Sequence, residues 1–276
     1  MSRPPARRLS RLPLCLALLA WLPAHAQEQS FDDALKTDRP DFVESSESVG
    51  KGRFHVETSL LVERERSSEE RARTYSMPTM LRYGLSDALE VRIESEGRTV
   101  QHVRDRESGE RSTTAGYADS SIGLLWHLMD NEGTRPSLGV LVDATLPTGS
   151  NALRGKGVRP SLRVVGEWEL PGDMELGMMP GIAYQHEEEN DRSTPRHTYG
   201  LFGIVLDKAF SERFHGLAEI TLPRIAHARH GGTQATFDVG ATYLLSRDCQ
   251  LDTLFSRGLN QRTPYASWTL GLSIRL

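Results

Sequence analysis

The sequence predicts an all-β protein: a transmembrane, antiparallel, up-and-down β-barrel of about 12 strands, with short periplasmic turns and long extracellular loops. Three observations carry this expectation. Apolar residues recur with a period of two along segments about as long as a tilted strand needs to cross a bilayer. The connections between segments alternate short and long. Aromatic residues gather at the segment ends. The final stretch, ASWTLGLSIRL (266–276), shows the first pattern: Trp268, Leu270, Leu272, Ile274 and Leu276 alternate with Ser267, Thr269, Gly271, Ser273 and Arg275. Its apolar face is expected to touch lipid, and barrel closure would give every strand the backbone partner that hydrocarbon demands.

The N-terminus reads as a targeting segment. Arg3, Arg7, Arg8 and Arg11 precede a short apolar core, LPLCLALLAWL, and Ala24-His25-Ala26 forms an A-x-A cleavage signature. Residues 1–26 are therefore expected to be a cleaved secretory signal peptide. Leu14 stands where a lipoprotein signal needs a small residue before Cys15, so no lipid anchor is expected. No apolar run is long enough for a transmembrane helix. Without the leader the chain carries 29 basic and 37 acidic residues, and this acidic balance argues against nucleic acid. Cys249 then stands alone and forms no internal disulfide; Asp248 beside it opposes thiolate formation.

Residues 27–52 are polar and irregular, an expected periplasmic segment ahead of a barrel at 53–276. Strands are expected at 53–64, 74–84, 87–97, 117–128, 137–147, 158–170, 173–186, 197–208, 213–223, 234–245, 248–258 and 265–276. FHVETSLLV (54–62) sets Phe54, Val56, Thr58, Leu60 and Val62 against His55, Glu57, Ser59 and Leu61. SLGVLVDATL (137–146) sets Leu138, Val140, Val142, Ala144 and Leu146 against Gly139, Leu141, Asp143 and Thr145. In 197–208 either face is apolar, so its orientation stays open.

The short connections are GLSD (84–87), MDNEGTRP (129–136), PGD (171–173), KAFSER (208–213) and SRD (246–248). The long ones are charged and rich in Gly and Pro, among them RERSSEERAR (64–73), GRTVQHVRDRESGERSTTAG (97–116), PTGSNALRGKG (147–157) and EEENDRSTP (187–195). Phe54, Tyr83, Trp126, Trp168, Phe214 and Tyr243 fall at the short-turn ends. Tyr75, Tyr117, Tyr184, Tyr199, Tyr265 and Trp268 fall at the long-loop ends. These are the two interfacial belts of a membrane barrel, with Phe202 the mid-strand exception.

TDRPDFVESSESV (37–49) followed by GRFHVETSLLVE (52–63) resembles the start of the MetA-pathway phenol-degradation family of Gram-negative outer-membrane proteins. YGLSDALEVRI (83–93) and LPTGS (146–150) are similar to two further motifs of that family. The resemblance spans the mature chain and implies a monomeric barrel of about 12 strands in the cell outer membrane. It implies uptake of aromatic or other small hydrophobic compounds. The closing strand departs from the usual aromatic terminus read by the assembly machinery, since Leu276 stands there.

The candidate functional residues are charges expected to face the lumen: Glu57, Arg82, Arg92, Glu94, Asp143, Arg163, Glu167, Glu219, Asp238, Asp252 and Arg275, with Glu63, Glu90, Glu169 and Glu175 beside them. They form either a paired network that fills a narrow lumen or a polar path for solute. Asp38, Arg39 and Asp41 of TDRPD either fold back into the mouth as a plug or belong to a mobile tail.

Other motifs carry less. GSNALRGKG (149–157) misses a phosphate-binding loop: counted from Gly149, Arg154 stands where the second glycine belongs, and after Gly155-Lys156, Gly157 replaces the Ser/Thr. His227 and His230 are weak as metal ligands, and EEEND (187–191) reads as a solvated loop. No His has the Ser two residues on that an outer-membrane phospholipase family uses, so no enzyme, catalytic residue, metal or cofactor is expected. The expected function is a channel or transporter for small, aromatic or hydrophobic molecules. The alternatives are a lumen-filled structural or adhesion-type barrel without transport and, behind it, a lipid-acting enzyme. The expected partners are outer-membrane lipid and lipopolysaccharide, the assembly machinery and a small-molecule solute.

Overall fold

The computed structural model describes residues 35–186 and 196–276. The expected signal peptide and the EEEND loop lie outside the described residues. Fifteen strands follow one another: β1 (Phe54–Arg66), β2 (Glu70–Ser76), β3 (Thr79–Gly84), β4 (Leu89–Ser95), β5 (Arg98–Asp105), β6 (Arg111–Tyr117), β7 (Ser120–Met129), β8 (Ser137–Leu146), β9 (Arg159–Leu170), β10 (Met174–His186), β11 (Arg196–Ala209), β12 (Phe214–Ile225), β13 (Gln234–Ser246), β14 (Cys249–Gly258) and β15 (Ala266–Arg275). Every pairing is antiparallel. Twelve of the strands, β1, β3, β4 and β7–β15, form a barrel that closes through β1 against β15, from His55↔Arg275 to Arg64↔Ala266. Closure leaves the barrel wall itself no sheet edge, as hydrocarbon requires of a spanning sheet.

The remaining three strands correct the sequence reading. Residues 64–73 and 97–116, expected as loops, are largely strand: β1 runs on to Arg66, and β2, β5 and β6 pair beside it in the order β1-β2-β5-β6. Beyond Tyr75 and Val100 the alternation of apolar residues that a lipid-facing wall imposes stops, although the backbone ladder is complete. The extension meets the wall at three adjacent breaks. Met77–Pro78 separates β2 from β3 because proline has no N–H for the ladder. Glu96–Gly97 separates β4 from β5, with Gly97 at φ 64°. Ala118–Asp119 separates β6 from β7. The breaks are stitched together by Met77 N–H to Glu96 O at 3.2 Å and Ala118 N–H to Gly97 O at 2.9 Å.

Side chains alternate across the wall as period two requires. Leu60, Ile122, Trp126, Val142, Ile182 and Leu270 are exposed on the outside, while Glu57, Arg82, Glu90 and Glu219 are fully or almost fully buried inside. In β11 the open question resolves with Leu201 and Val205 inward and Phe202, Ile204 and Leu206 outward. Both faces are apolar because the inner one belongs to an interior cluster with Leu125, Leu141, Val165, Met179 and Val43. Tyr199, expected in the outer aromatic belt, turns inward and packs against that cluster; Arg224 lies over its ring at 5.2 Å.

Candidate functional site

The inner wall is built from charges that cannot remain alone in a space this narrow. Removing an ionised group from water is costly unless opposite charge and hydrogen bonds replace the water. The wall supplies Arg82 on β3, Glu57 on β1 and Glu90 and Arg92 on β4, whose register sets them side by side. Arg82 Nε lies 2.7 Å from Glu90 and Nη1 lies 3.0 Å from Glu57, and Arg92 Nε donates to Glu90 at 2.8 Å. Across the lumen, Arg163 on β9 pairs with Asp143 on β8 at 2.5 Å.

Residues 35–52 complete this set by running through the lumen near the short-turn end, which in outer-membrane barrels faces the periplasm. Asp38 is buried against Arg82, 3.2 Å away, and against Arg92. Its backbone N–H donates to Glu57 at 3.1 Å, and its carboxylate accepts Ser45 N–H at 2.7 Å. Glu44 bridges Arg92 and Arg163. Three guanidinium groups thus face five carboxylates, two of them from this segment.

Backbone donors of the segment are used as fully as its side chains. Phe42 and Val43 N–H both donate to Glu219, at 3.0 and 2.8 Å. Ser46 donates to Glu167 from its N–H and its hydroxyl, and its Oγ lies 2.5 Å from Ser137 Oγ. Val49 N–H donates to Glu90 at 2.8 Å, and Gly52 N–H to Gly84 O at 2.8 Å. Arg39 reaches Ser59 Oγ at 2.9 Å, and Asp41 lies close to Glu219.

Three inward glycines make room for this backbone. A Cβ on Gly139 would stand 2.7 Å from Ser46 O, one on Gly203 2.6 Å from Val43 Cγ2, and one on Gly177 3.1 Å from Val43 Cγ1.

Of the sequence-predicted residues, Asp38, Glu57, Arg82, Arg92, Asp143 and Arg163 share one network, while Glu167 and Glu219 hold the segment at separate points and Arg39 reaches from it to Ser59. Asp238 and Asp252 lie apart on β13 and β14, buried; Asp238 accepts from Thr236 at 2.7 Å. Arg275 sits at the short-turn rim and pairs with Asp248 at 2.6 Å. Glu169, expected in the lumen, is exposed at the same rim.

Sequence reasoning missed Glu44, Ser46, Ser137 and His127, whose Nδ1 lies 3.0 Å from Ser46 O. The available signal was glycine at inward positions such as Gly139 and Gly203, where bulk should otherwise fill the lumen.

Above the segment, toward the long loops, lies a cavity of about 310 Å³. Phe42, Ala183, Tyr199 and Leu201 supply its apolar lining; Glu94, Asp143, Arg159 and Arg163 supply charge. The loop 147–157, which runs between β8 and β9, is held by Asp119. Asp119 accepts from Gly149 N–H at 2.8 Å, Gly155 N–H at 2.9 Å and Arg159 at 2.8 Å. Burial pushes the Asp119 carboxyl up, but these donors outweigh it and hold it below the ordinary aspartate value. The glycine amides that look phosphate-binding are therefore engaged by a side chain of the protein itself. His230 stacks on His197 with ring centroids 4.5 Å apart, and among the described residues no group of three or more metal-binding side chains forms.

A family model described as "Putative MetA-pathway of phenol degradation" matches residues 37–276. The chain belongs to this family. The match takes in the lumen segment from Thr37 onward as well as the whole barrel. Among solved structures, the barrel of this MetA-pathway family member is similar to the COG4313 outer membrane channel from Pseudomonas putida F1. The TM-score is 0.64 at 15% identity, covering 84% of this chain and 98% of that one. It is also similar to the NanC porin, with a TM-score of 0.52 at 10% identity over 81% of this chain and 100% of the porin. A comparison with curated proteins finds no match. The family member has the fold of an outer-membrane β-barrel, shared with that channel and that porin.

Proposed function

We propose that this chain is a channel for small amphipathic molecules in which residues 35–52 act as a plug. The observation that carries the reading is the cavity directly above Phe42. Its volume of about 310 Å³ suits one small solute. One wall offers Tyr199, Leu201 and Ala183 to a ring or short chain, and the other offers Arg159 and Arg163 or Glu94 and Asp143 to a polar group. A solute of the phenol type has that division of character, which agrees with the family's description.

Onward passage requires the segment to shift or to be bypassed. Bypass would run along β1, β14 and β15. There both oxygens of Asp252, both ring nitrogens of His55 and the Ser273 hydroxyl are buried without a hydrogen-bond partner among the described residues. Such groups call for water, and a hydrated seam is a route for solute. The chain is proposed to work as a monomer inserted by the outer-membrane assembly machinery.

A second reading, a lumen-filled structural barrel without transport, is favoured by the continuity of the ion-pair network around Arg82 and Arg92. Planar-bilayer recordings separate the two. The channel reading expects discrete steps from residues 27–276, and larger ones once 27–50 are deleted. A folded deletion protein with no greater conductance would end the plug reading.

A further inference from the structure

The outward face of the extracellular extension carries arginines in rows. The register places Arg64, Arg73, His102 and Thr113 in one row and Arg66, Arg71, Arg104 and Arg111 in the next. These share the side of the sheet that, lower down, shows Leu60, Val62, Tyr75 and Val100. Glu65, Glu70 and Asp105 alternate onto the opposite side. Among the described residues no salt bridge neutralises any of the six arginines.

Like charges directly across adjacent strands repel, so this arrangement is unfavourable unless an anion joins it. The rows border a shallow basin of about 700 Å³. They begin only two residues beyond Val62 and Tyr75, next to an aromatic of the kind that favours a bilayer interface. Arg66 and Arg257 also lie over the Tyr265 ring, at 4.2 and 3.6 Å, extending the basic margin toward β14.

We propose that this face is a docking site for a phosphorylated glycolipid of the outer leaflet, a bisphosphorylated lipid A. Guanidinium forks take the phosphates two donors at a time, and the acyl chains lie along the apolar strip beneath. The charge complementarity and the adjoining apolar strip together select an amphiphile over a free anion. A basic cluster at a membrane surface attracts anionic lipid by the same physics. The proposal rests on the outer-membrane fold and is independent of whether the lumen conducts.

The test is binding by refolded residues 27–276 in zwitterionic detergent, read by native mass spectrometry. The probes are bisphosphorylated lipid A, dephosphorylated lipid A and inorganic phosphate. Wild type should bind the first at least about tenfold more tightly than the second, and binding should weaken as salt rises. R71Q/R73Q/R104Q/R111Q should lose about tenfold or more, with the corresponding lysine variant in between.

Equal affinity of wild type and the glutamine variant, both shown to be folded by heat-modifiable gel mobility, would overturn the site. So would equal binding of the dephosphorylated lipid, which would leave only the apolar strip. Displacement of lipid A by millimolar inorganic phosphate would make this a free-anion site instead. If the glutamine variant fails to fold, the lysine variant and the dephosphorylated probe decide.

Discussion

Arg92→Met should drive the lumen segment out of the barrel. Arg92 is buried and is the side chain that ties the segment's two acids, Asp38 and Glu44, to the wall's Glu90. Its removal leaves five carboxylates facing two guanidinium groups. Breaking a buried pair by deleting one partner costs about 3–5 kcal/mol, because the other charge stays buried. Glu57, Glu90 and Asp143 are fixed on strands and cannot leave, but Asp38 and Glu44 can be expelled with their segment. Most of the penalty is therefore relieved by detachment, and the detached population should rise roughly a hundred- to a thousandfold or more. The assay is maleimide labelling of S46C in a C249S background, because Ser46 is fully buried when the segment is seated. With opening fast relative to labelling, the rate reports the detached fraction. R92K, which keeps the charge but not the fork, should fall between. A change under about threefold in a folded R92M barrel would refute the reasoning.

Three further outcomes follow from the same geometry. Gly203→Val would push into Val43 and Phe42, an overpacking worth about 1–3 kcal/mol; it should speed S46C labelling while leaving barrel heat-modifiability unchanged. Glu219→Gln loses the charge on two backbone hydrogen bonds, a cost of about 1.5–3 kcal/mol, and labelling should rise roughly ten- to a hundredfold. Asp119→Asn should release the loop 147–157, read as faster amide exchange at Gly149 and Gly155. In the wild type the Asp119 carboxyl is depressed by folding, so its stabilisation is complete above the ordinary value of 3.8 and lost as pH falls below it. Loop exchange, corrected for its intrinsic rate, should be flat from pH 5 to 7 and rise only under acid. A rise near neutrality would contradict this anchor.

The barrel was legible because lipid imposes a simple rule on sequence. Leu60, Val142 and Leu270 must be apolar and their neighbours need not be, so period two survives wherever hydrocarbon touches the wall. Where lipid ends, the rule ends. TVQHVRD and RSTTAGY are strands by backbone pairing alone, and nothing in their side chains announces it. The lumen followed a different logic. Arg82, Arg92, Glu57 and Arg163 stood out as inward charges on recognisable strands. Glu44, which pairs with Arg92 and Arg163, and Ser46, which donates to Glu167, lie in an irregular segment with no periodicity, and contacts made across 48 to 121 residues leave no local mark. Leu201 and Val205 left the orientation of β11 open, because only their partner Val43 shows that an apolar residue there can face inward. Tyr199 misled for the same reason, since an aromatic near a strand end fits a belt as well as an interior cluster.

The most direct test of the account is a tether between the lumen segment and the wall. Ser46 Oγ and Ser137 Oγ are 2.5 Å apart, close enough for S46C/S137C to form a disulfide in a C249S background. Single-channel recordings of this protein, oxidised and then reduced in the same bilayer, isolate the segment's movement from everything else. The account predicts closure while the tether is intact and discrete conductance steps once it is reduced. Identical steps in both states, with the disulfide verified by mass, would show that solute passes without displacement of this segment and would contradict the plug.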